Sequence, residues 1–149
     1  MILDIGIVDV ATCQPMPNVM IEVWSRKYTV GLIQNYLTYL RSLQPMLSGY
    51  GSTFLRGAFT STANGVTEFQ TLFLGYNSDG VNHINVMIHT FNVLPGTTSH
   101  VGQVFFTDQW TDVVAMTSPY NQNTHHRVLN TQNSNYATAN SEGYNAIVE

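Results

Sequence analysis

The sequence is short of charge and of cysteine, and both shortages exclude classes of protein. Charged residues make up 9% of the 149 residues, and five Lys and Arg against nine Asp and Glu give a net charge of -4. So few basic residues cannot follow a phosphate backbone, and we expect no nucleic-acid partner. Cys13 is the single cysteine and cannot form an internal disulfide, which favours a reducing, cytoplasmic location.

Long apolar runs are missing as well. Nowhere do about eighteen apolar residues follow one another, so we expect no membrane span. Residues 1–10 lack the basic start of a secretion signal, so we expect a secreted protein only if a signal peptide has been removed. Hydrophobic residues still make up 44% of the chain, enough for a core, and we predict a single domain over residues 1–149.

Turn residues and period-two alternation predict an all-β chain. The Asn64-Gly65 pair is typical of a tight hairpin turn, and Leu94-Pro95-Gly96 separates a further pair of strands. We therefore predict an antiparallel β-sandwich. The predicted strands cover residues 4–10, 19–24, 53–60, 66–73, 83–91 and 100–107.

Two segments depart from the strand pattern. Apolar residues recur at helical spacing over residues 29–43, which predicts one helix inserted between early strands, either packed on the sandwich or covering a pocket. Residues 119–149 are rich in Asn, Ser and Thr with little periodicity. They are typical of an extended polar tail packed on the domain.

Residues 74–89, LGYNSDGVNHINVMIH, are the most informative stretch. As a strand, its second half has two faces, one with Ile84, Val86 and Ile88 and the other with His83, Asn85, Met87 and His89. The first face suits a core, whereas the second needs water, a ligand or polar partners. His83 and His89 are about 20 Å apart along such a strand, so they cannot share one metal ion without a bend.

Motifs spread along the chain carry a resemblance. They are VDV at 8–10, VW at 23–24, FLRG at 54–57, FQT at 69–71, HVGQ at 100–103 and PYN at 119–121. Together these segments resemble the intradiol ring-cleavage dioxygenases, particularly their small fungal members. The resemblance implies an antiparallel β-sandwich.

The family binds ferric iron through two tyrosinates and two histidines and cleaves catechols between their hydroxyls. Its signature, P-G-x-Y-x-G-R-x-x-H-I-H, aligns without gaps from residue 74, with the ligand tyrosine on Asn77 and the arginine on Gly80. The first histidine is kept as His83, whereas the second falls on Asn85, and the other tyrosine falls on residue 32 or 33. Because three of four ligands are replaced, we expect no ferric dioxygenase activity and no cofactor.

The residues left at this place suggest a redox-neutral enzyme. We predict a metal-independent cyclase or isomerase, with a pericyclase included among the cyclases, that acts on a small aromatic, phenolic or polyketide-like ligand. His83 is the predicted catalytic acid/base, and Asn85 and Asn77 are predicted to hold substrate oxygens. Further candidates for substrate binding are Tyr76, Trp24, Arg56 and His89.

Each candidate also has a structural alternative. Trp24 and Tyr76 could fill a core, and Arg56 could tie loops together through backbone carbonyls. His89 could be a surface or hydrogen-bonded histidine, and Asn77 could be a turn former.

Two other functions remain open at this point. One is a non-catalytic pseudoenzyme that binds a small molecule or pairs with an active partner. The other is an altered zinc or copper site that uses His83, Asn85 and a distant side chain. A homo-oligomer is an alternative to a monomer, because low surface charge leaves strand edges to cover.

Overall fold

The computed structural model describes residues 1–25, 55–78, 80–90 and 97–141, and the helix predicted over residues 29–43 lies outside them. Within these ranges, strands dominate over helices. The strands are β1 (Ile2–Gly6), β2 (Val8–Asp9), β3 (Gln14–Pro15), β4 (Met20–Trp24), β5 (Arg56–Thr60), β6 (Val66–Gln70), β7 (His83–Thr90) and β8 (Thr97–Phe105). The helices are α1 (Asp108–Ala115) and α2 (Ser134–Ser141), with 3-10 turns at Tyr120–Gln122 and Asn130–Gln132.

The described strands form a four-stranded sheet in the order β5-β4-β7-β8 and two smaller pairs, β1-β6 and β2-β3. The strand β4 runs antiparallel to both β5 and β7, and the two smaller pairs are antiparallel as well. The predicted all-β, antiparallel architecture is therefore confirmed.

The turn at Asn64-Gly65 forms, but the predicted hairpin around it is wrong. The strands on either side belong to different sheets, because β5 pairs with β4 and β6 pairs with β1. Gly65 has φ 73°, and a Cβ atom there would lie 2.7 Å from the backbone oxygen of Ile7. Only glycine fits at this position, because its φ is positive and the backbone of Ile7 lies so close. The turn carries the chain from one sheet to the other.

The core of the β-rich region lies on one face of the four-stranded sheet. Ile21 and Val23 of β4 are buried there, and Val86 of β7 lies directly opposite Val23. Gly57 of β5 lies on the same face, where a Cβ atom would be 3.5 Å from the ring of Phe69 in β6. The small residue thus admits an aromatic ring from the neighbouring sheet, and burial of each aliphatic side chain contributes about 1.5–3 kcal/mol.

The chain divides into two compact units that alternate in sequence. The first holds Met1–Ser25, Leu55–Phe73 and Ile84–Gln103, and the second includes the described residues of 74–83 and 104–141. The single-domain prediction stays a prediction. Among the described residues, no helix is long and apolar enough to cross a membrane.

The segment after Pro119 is not extended throughout, so that part of the prediction is wrong. It contains the two 3-10 turns and α2. The side-chain oxygen of Asn133 accepts a hydrogen bond from the backbone N–H of Tyr136 at 3.0 Å, which satisfies an otherwise unpaired N–H at the start of the helix. Helical periodicity gave no signal because α2 has no buried residues and hence no apolar stripe.

Candidate functional site

The alternation predicted for β7 is confirmed on its core face. Ile84 and Val86 are 3% and 6% exposed, whereas His83 and Asn85 on the opposite face are half-buried. His89 is 4% exposed, so its surface alternative is wrong. A buried imidazole needs polar partners, and the neighbouring strand supplies one.

That partner is Glu22 of β4, the centre of a cross-strand cluster in the first unit. One carboxylate oxygen, Oε2, lies 3.4 Å from Nε2 of His89, and the other, Oε1, accepts a hydrogen bond from Nε of Arg56 at 2.6 Å. A second guanidinium nitrogen, Nη2, also contacts Oε1. The guanidinium carbon of Arg56 lies 5.6 Å from the ring centroid of Trp24, a cation-π contact between directly opposed residues.

This cluster revises the alternatives given for Arg56 and His89. Arg56 is tied to a carboxylate of the adjacent strand and not to loop carbonyls. Its charge is therefore balanced within the sheet. His89 is hydrogen-bonded through Nε2, while its buried Nδ1 has no hydrogen-bond partner among the described residues.

Asn85 links three strands of the same sheet. Its Nδ2 donates to the backbone oxygen of Trp24 at 3.3 Å, and its Oδ1 accepts from Nε2 of Gln103 at 3.2 Å. Sequence reasoning assigned no role to Gln103, although it ends the HVGQ motif. Both ends of the Asn85 amide thus already have a partner in the sheet.

His83 lies in the second unit and has a defined ring orientation. Its Nδ1 is 2.9 Å from the backbone oxygen of Val81. A carbonyl oxygen can only accept, so Nδ1 carries the hydrogen, and in the neutral imidazole the free lone pair is on Nε2. No residue within the described ranges hydrogen-bonds to Nε2.

Two aromatic rings accompany His83. The Phe105 ring lies 5.9 Å from the imidazole at an angle of 52°, and the Tyr136 ring lies 5.5 Å from Phe105, edge to face at 89°. Neither Phe105 nor Tyr136 was among the residues that the sequence predicted for the site. The polar composition around Tyr136 hid it, and its only signal was a large aromatic residue in a segment otherwise poor in them.

The loop before β7 holds the two remaining candidates. Asn77 is 8% exposed and forms an isolated β-bridge with Gly80, as the turn-former alternative requires. Tyr76 is half-buried, and its backbone oxygen accepts from Nδ2 of Asn123 at 2.8 Å. Their roles in substrate binding stay predictions.

The structure connects four of the predicted residues in the first unit, and the other three lie in the second unit. The group in the first unit is connected by hydrogen bonds and the cation-π contact, and His83 of the second unit packs against Phe105. The first group contains Trp24, Arg56, Asn85 and His89, and the second unit contains His83, Tyr76 and Asn77.

At the described positions of the signature, the side chains match poorly the ferric iron ligands that the family resemblance implies. At the signature position, His83 supplies one imidazole, while the amide of Asn85 is bonded within the sheet. Across the described residues, no three His, Cys, Asp or Glu side chains come together. One imidazole with neutral amides is a poor donor set for a transition metal.

Solved structures similar to this chain identify the fold. An intradiol ring-cleavage dioxygenase from Tetranychus urticae matches with a TM-score of 0.76 and 24% identity, over 99% of this chain and 72% of that one. A second dioxygenase structure matches with a TM-score of 0.71 and 25% identity, over 92% of this chain and 66% of that one. No protein-family model and no curated protein matches the sequence.

The chain thus has the antiparallel β-sandwich fold of the intradiol ring-cleavage dioxygenases. The fold class predicted from the sequence, and the resemblance to dioxygenase-like proteins of this type, are confirmed by these structures.

Proposed function

We propose that the chain is a cofactor-independent enzyme that rearranges a phenolic or polyketide-like compound by proton transfer, as a cyclase or isomerase. His83 is the acid/base. The observation that carries the proposal is the hydrogen bond from Nδ1 of His83 to the backbone oxygen of Val81.

This bond prepares the imidazole for proton transfer. With Nδ1 committed as a donor, Nε2 of the neutral ring is the acceptor atom. Phe105 packs against the ring and restricts its rotation. An imidazole held in one tautomer and one orientation is the arrangement that general-base catalysis requires near neutral pH.

The proposed step is balanced without an oxidant. Nε2 takes a proton from a phenolic O–H or from a C–H next to a carbonyl, which leaves a phenolate or an enolate. Its electron pair forms a bond to an unsaturated carbon of the same molecule, the π bond of that carbon breaks, and the displaced pair moves to the atom that is protonated next. The proton then returns from the imidazolium to another atom of the product. Substrate and product have the same composition, so the reaction needs shape and proton transfer alone.

A general probe tests this step without the natural substrate. We expect the protein to accelerate exchange of the methyl hydrogens of ortho-hydroxyacetophenone for deuterium in D₂O, measured by proton NMR. His83→Asn keeps a donor near Val81 but removes Nε2, so exchange should fall by about a hundredfold or more. The matched control is His126→Gln, an exposed histidine of the same unit, which should leave the rate unchanged.

Three results would overturn the proposal. One is equal exchange by wild type and His83→Asn, and another is binding of the probe with no exchange at all, which favours a binding pseudoenzyme. The third is near-stoichiometric iron in protein purified without chelators, together with oxygen uptake on catechol. Exchange that survives EDTA and depends on His83 supports the proposal.

A further inference from the structure

We infer that Phe105 and Tyr136 form an aromatic wall for a planar ring bound beside His83, and that Tyr136 makes the site selective for flat over saturated rings. The inference rests on the proposed function, because it names the kind of ligand that His83 would act on. It concerns binding, so it can be tested separately from catalysis.

The wall is a chain of ring contacts within the second unit. Phe105 is 6% exposed and serves as its fixed base. Its ring contacts the imidazole of His83, at a centroid distance of 5.9 Å, and the phenol ring of Tyr136, at 5.5 Å. The rings of His83 and Tyr136 therefore both contact the same buried phenylalanine.

Tyr136 is held in place without being fully buried. Its helix α2 has no buried residues, so the helix is not an element of the core. The start of α2 is nevertheless fixed by the Asn133 cap on the N–H of Tyr136, and Asn130 upstream donates from Nδ2 to the backbone oxygen of Phe106 at 2.8 Å. These two amides fix the position of a half-buried ring whose remaining surface is accessible.

An accessible, fixed aromatic surface that shares the Phe105 ring with the proton acceptor His83 suits one class of ligand. Aromatic pairs gain free energy from offset stacking or edge-to-face contact beyond the area they bury, and a saturated ring offers neither geometry. Tyrosine supplies this surface at low entropic cost because it has few rotatable bonds. The expected ligand is thus a planar phenol or enol.

The experiment measures binding in a His83→Asn background, so that turnover plays no part. Titration calorimetry gives the Kd of ortho-hydroxyacetophenone and of its ring-saturated counterpart. We expect Tyr136→Leu to weaken binding of the aromatic probe about threefold to tenfold, while Tyr136→Phe keeps it within about twofold. Tyr120→Leu, the same change at another half-buried tyrosine of this unit, is the matched control and should have no effect.

A second measurement needs no change at Tyr136 and covers the case in which Tyr136→Leu fails to fold. In deuterated wild-type protein with protonated tyrosine and phenylalanine rings, we expect nuclear Overhauser contacts from the probe ring to Tyr136 and Phe105. Absence of these contacts overturns the inference. So do unchanged binding in Tyr136→Leu, an equal loss in Tyr120→Leu, an equal response of the saturated compound, and no binding at millimolar probe.

Failure of this inference and failure of the proposed function give different results. If the aromatic wall is wrong but His83 is the base, exchange depends on His83 while binding is indifferent to Tyr136. If the wall is right but there is no catalysis, binding depends on Tyr136 and no exchange occurs.

Discussion

On the four-stranded sheet of the first unit, several polar side chains bond to one another across strands, whereas several asparagines of the second unit bond to backbone oxygens. In the first unit, Glu22 pairs with Arg56 and His89, and Asn85 accepts from Gln103. The amides of the second unit donate to carbonyls instead. These pairs are Asn82 with the oxygen of Leu74, Asn123 with Tyr76 and Asn130 with Phe106.

The difference follows from where backbone groups find partners. In a sheet, the backbone N–H and C=O groups hydrogen-bond between neighbouring strands, so the polar side chains on one face find one another across strands. Irregular segments have no ladder, and their buried carbonyls need side-chain donors. The asparagine-rich end of the chain therefore holds loops together.

The same difference separates the candidate residues. Arg56 and His89 share one carboxylate, so their pairing serves the sheet. His83 follows the pattern of its own unit, because it uses one ring nitrogen on a backbone oxygen. The other nitrogen, Nε2, is left to exchange a proton with a substrate, which is why we propose His83 as the acid/base.

The largest effect is expected from Asn130→Ala. Asn130 is 4% exposed, and its loss leaves the buried oxygen of Phe106 without this donor. The free energy of unfolding in urea should fall by about 1–3 kcal/mol. Asn121→Ala, at an exposed asparagine of the same unit, should stay within about 0.5 kcal/mol of wild type. Equal effects of the two changes would contradict the role given to amides in this unit.

Glu22→Gln tests the cross-strand bonding of the first unit. The change removes the charge between Arg56 and His89 while keeping the shape, and we expect a loss of about 1–2 kcal/mol in unfolding free energy, limited by the exposure of Arg56. The control is Glu68→Gln at an exposed position of β6, where the carboxylate directly opposes Asp4 and its loss relieves repulsion. If Glu68→Gln lowers the unfolding free energy as much as Glu22→Gln does, the cross-strand cluster stabilises the sheet no more than an exposed carboxylate.

Thr67→Val tests a buried hydroxyl of the first unit that departs from this pattern of paired side chains. Thr67 is 1% exposed, its Oγ1 has no hydrogen-bond partner among the described residues, and the residue opposite it is apolar Ile5. Replacing this hydroxyl with a methyl group should raise the unfolding free energy by up to about 1 kcal/mol. The same change at exposed Thr62 should bring no gain. Destabilisation by Thr67→Val would mean that the hydroxyl is satisfied.

The smallest effect is expected from Tyr120→Phe, which should change the melting temperature only at alkaline pH. Burial raises the pKa of the Tyr120 hydroxyl above its ordinary 10.0, so above that pH the unfolded chain loses a proton that the folded protein keeps. This contribution to stability is complete below pH 10.0 and is lost as pH rises through the folded pKa. Tyr120→Phe should therefore flatten the decline in melting temperature above pH 10.0, with an unchanged slope near pH 7. Parallel declines in the melting temperatures of wild type and Tyr120→Phe would contradict this effect of burial.

Local patterns predicted what local geometry controls. The alternation in β7 identified Ile84 and Val86 as core residues, because a strand places successive side chains on opposite faces whatever its partners are. The Asn64-Gly65 pair correctly predicted a reversal of the chain. It did not predict which strands pair, since the same turn serves a hairpin within one sheet or a crossing between two.

Long-range contacts were outside the reach of the sequence. Nothing near His89 indicated that a glutamate 67 positions away would bury it, and nothing near Tyr136 indicated that its ring would lie against Phe105. By itself, the sequence determined the all-β class and the two faces of β7, because these depend on residue type and period. Only the tertiary structure decided which side chains share a partner and which rings meet, because these contacts are set by distances between residues remote in the chain. It also decided which nitrogen of His83 is committed, because that depends on the backbone conformation that brings the oxygen of Val81 within reach.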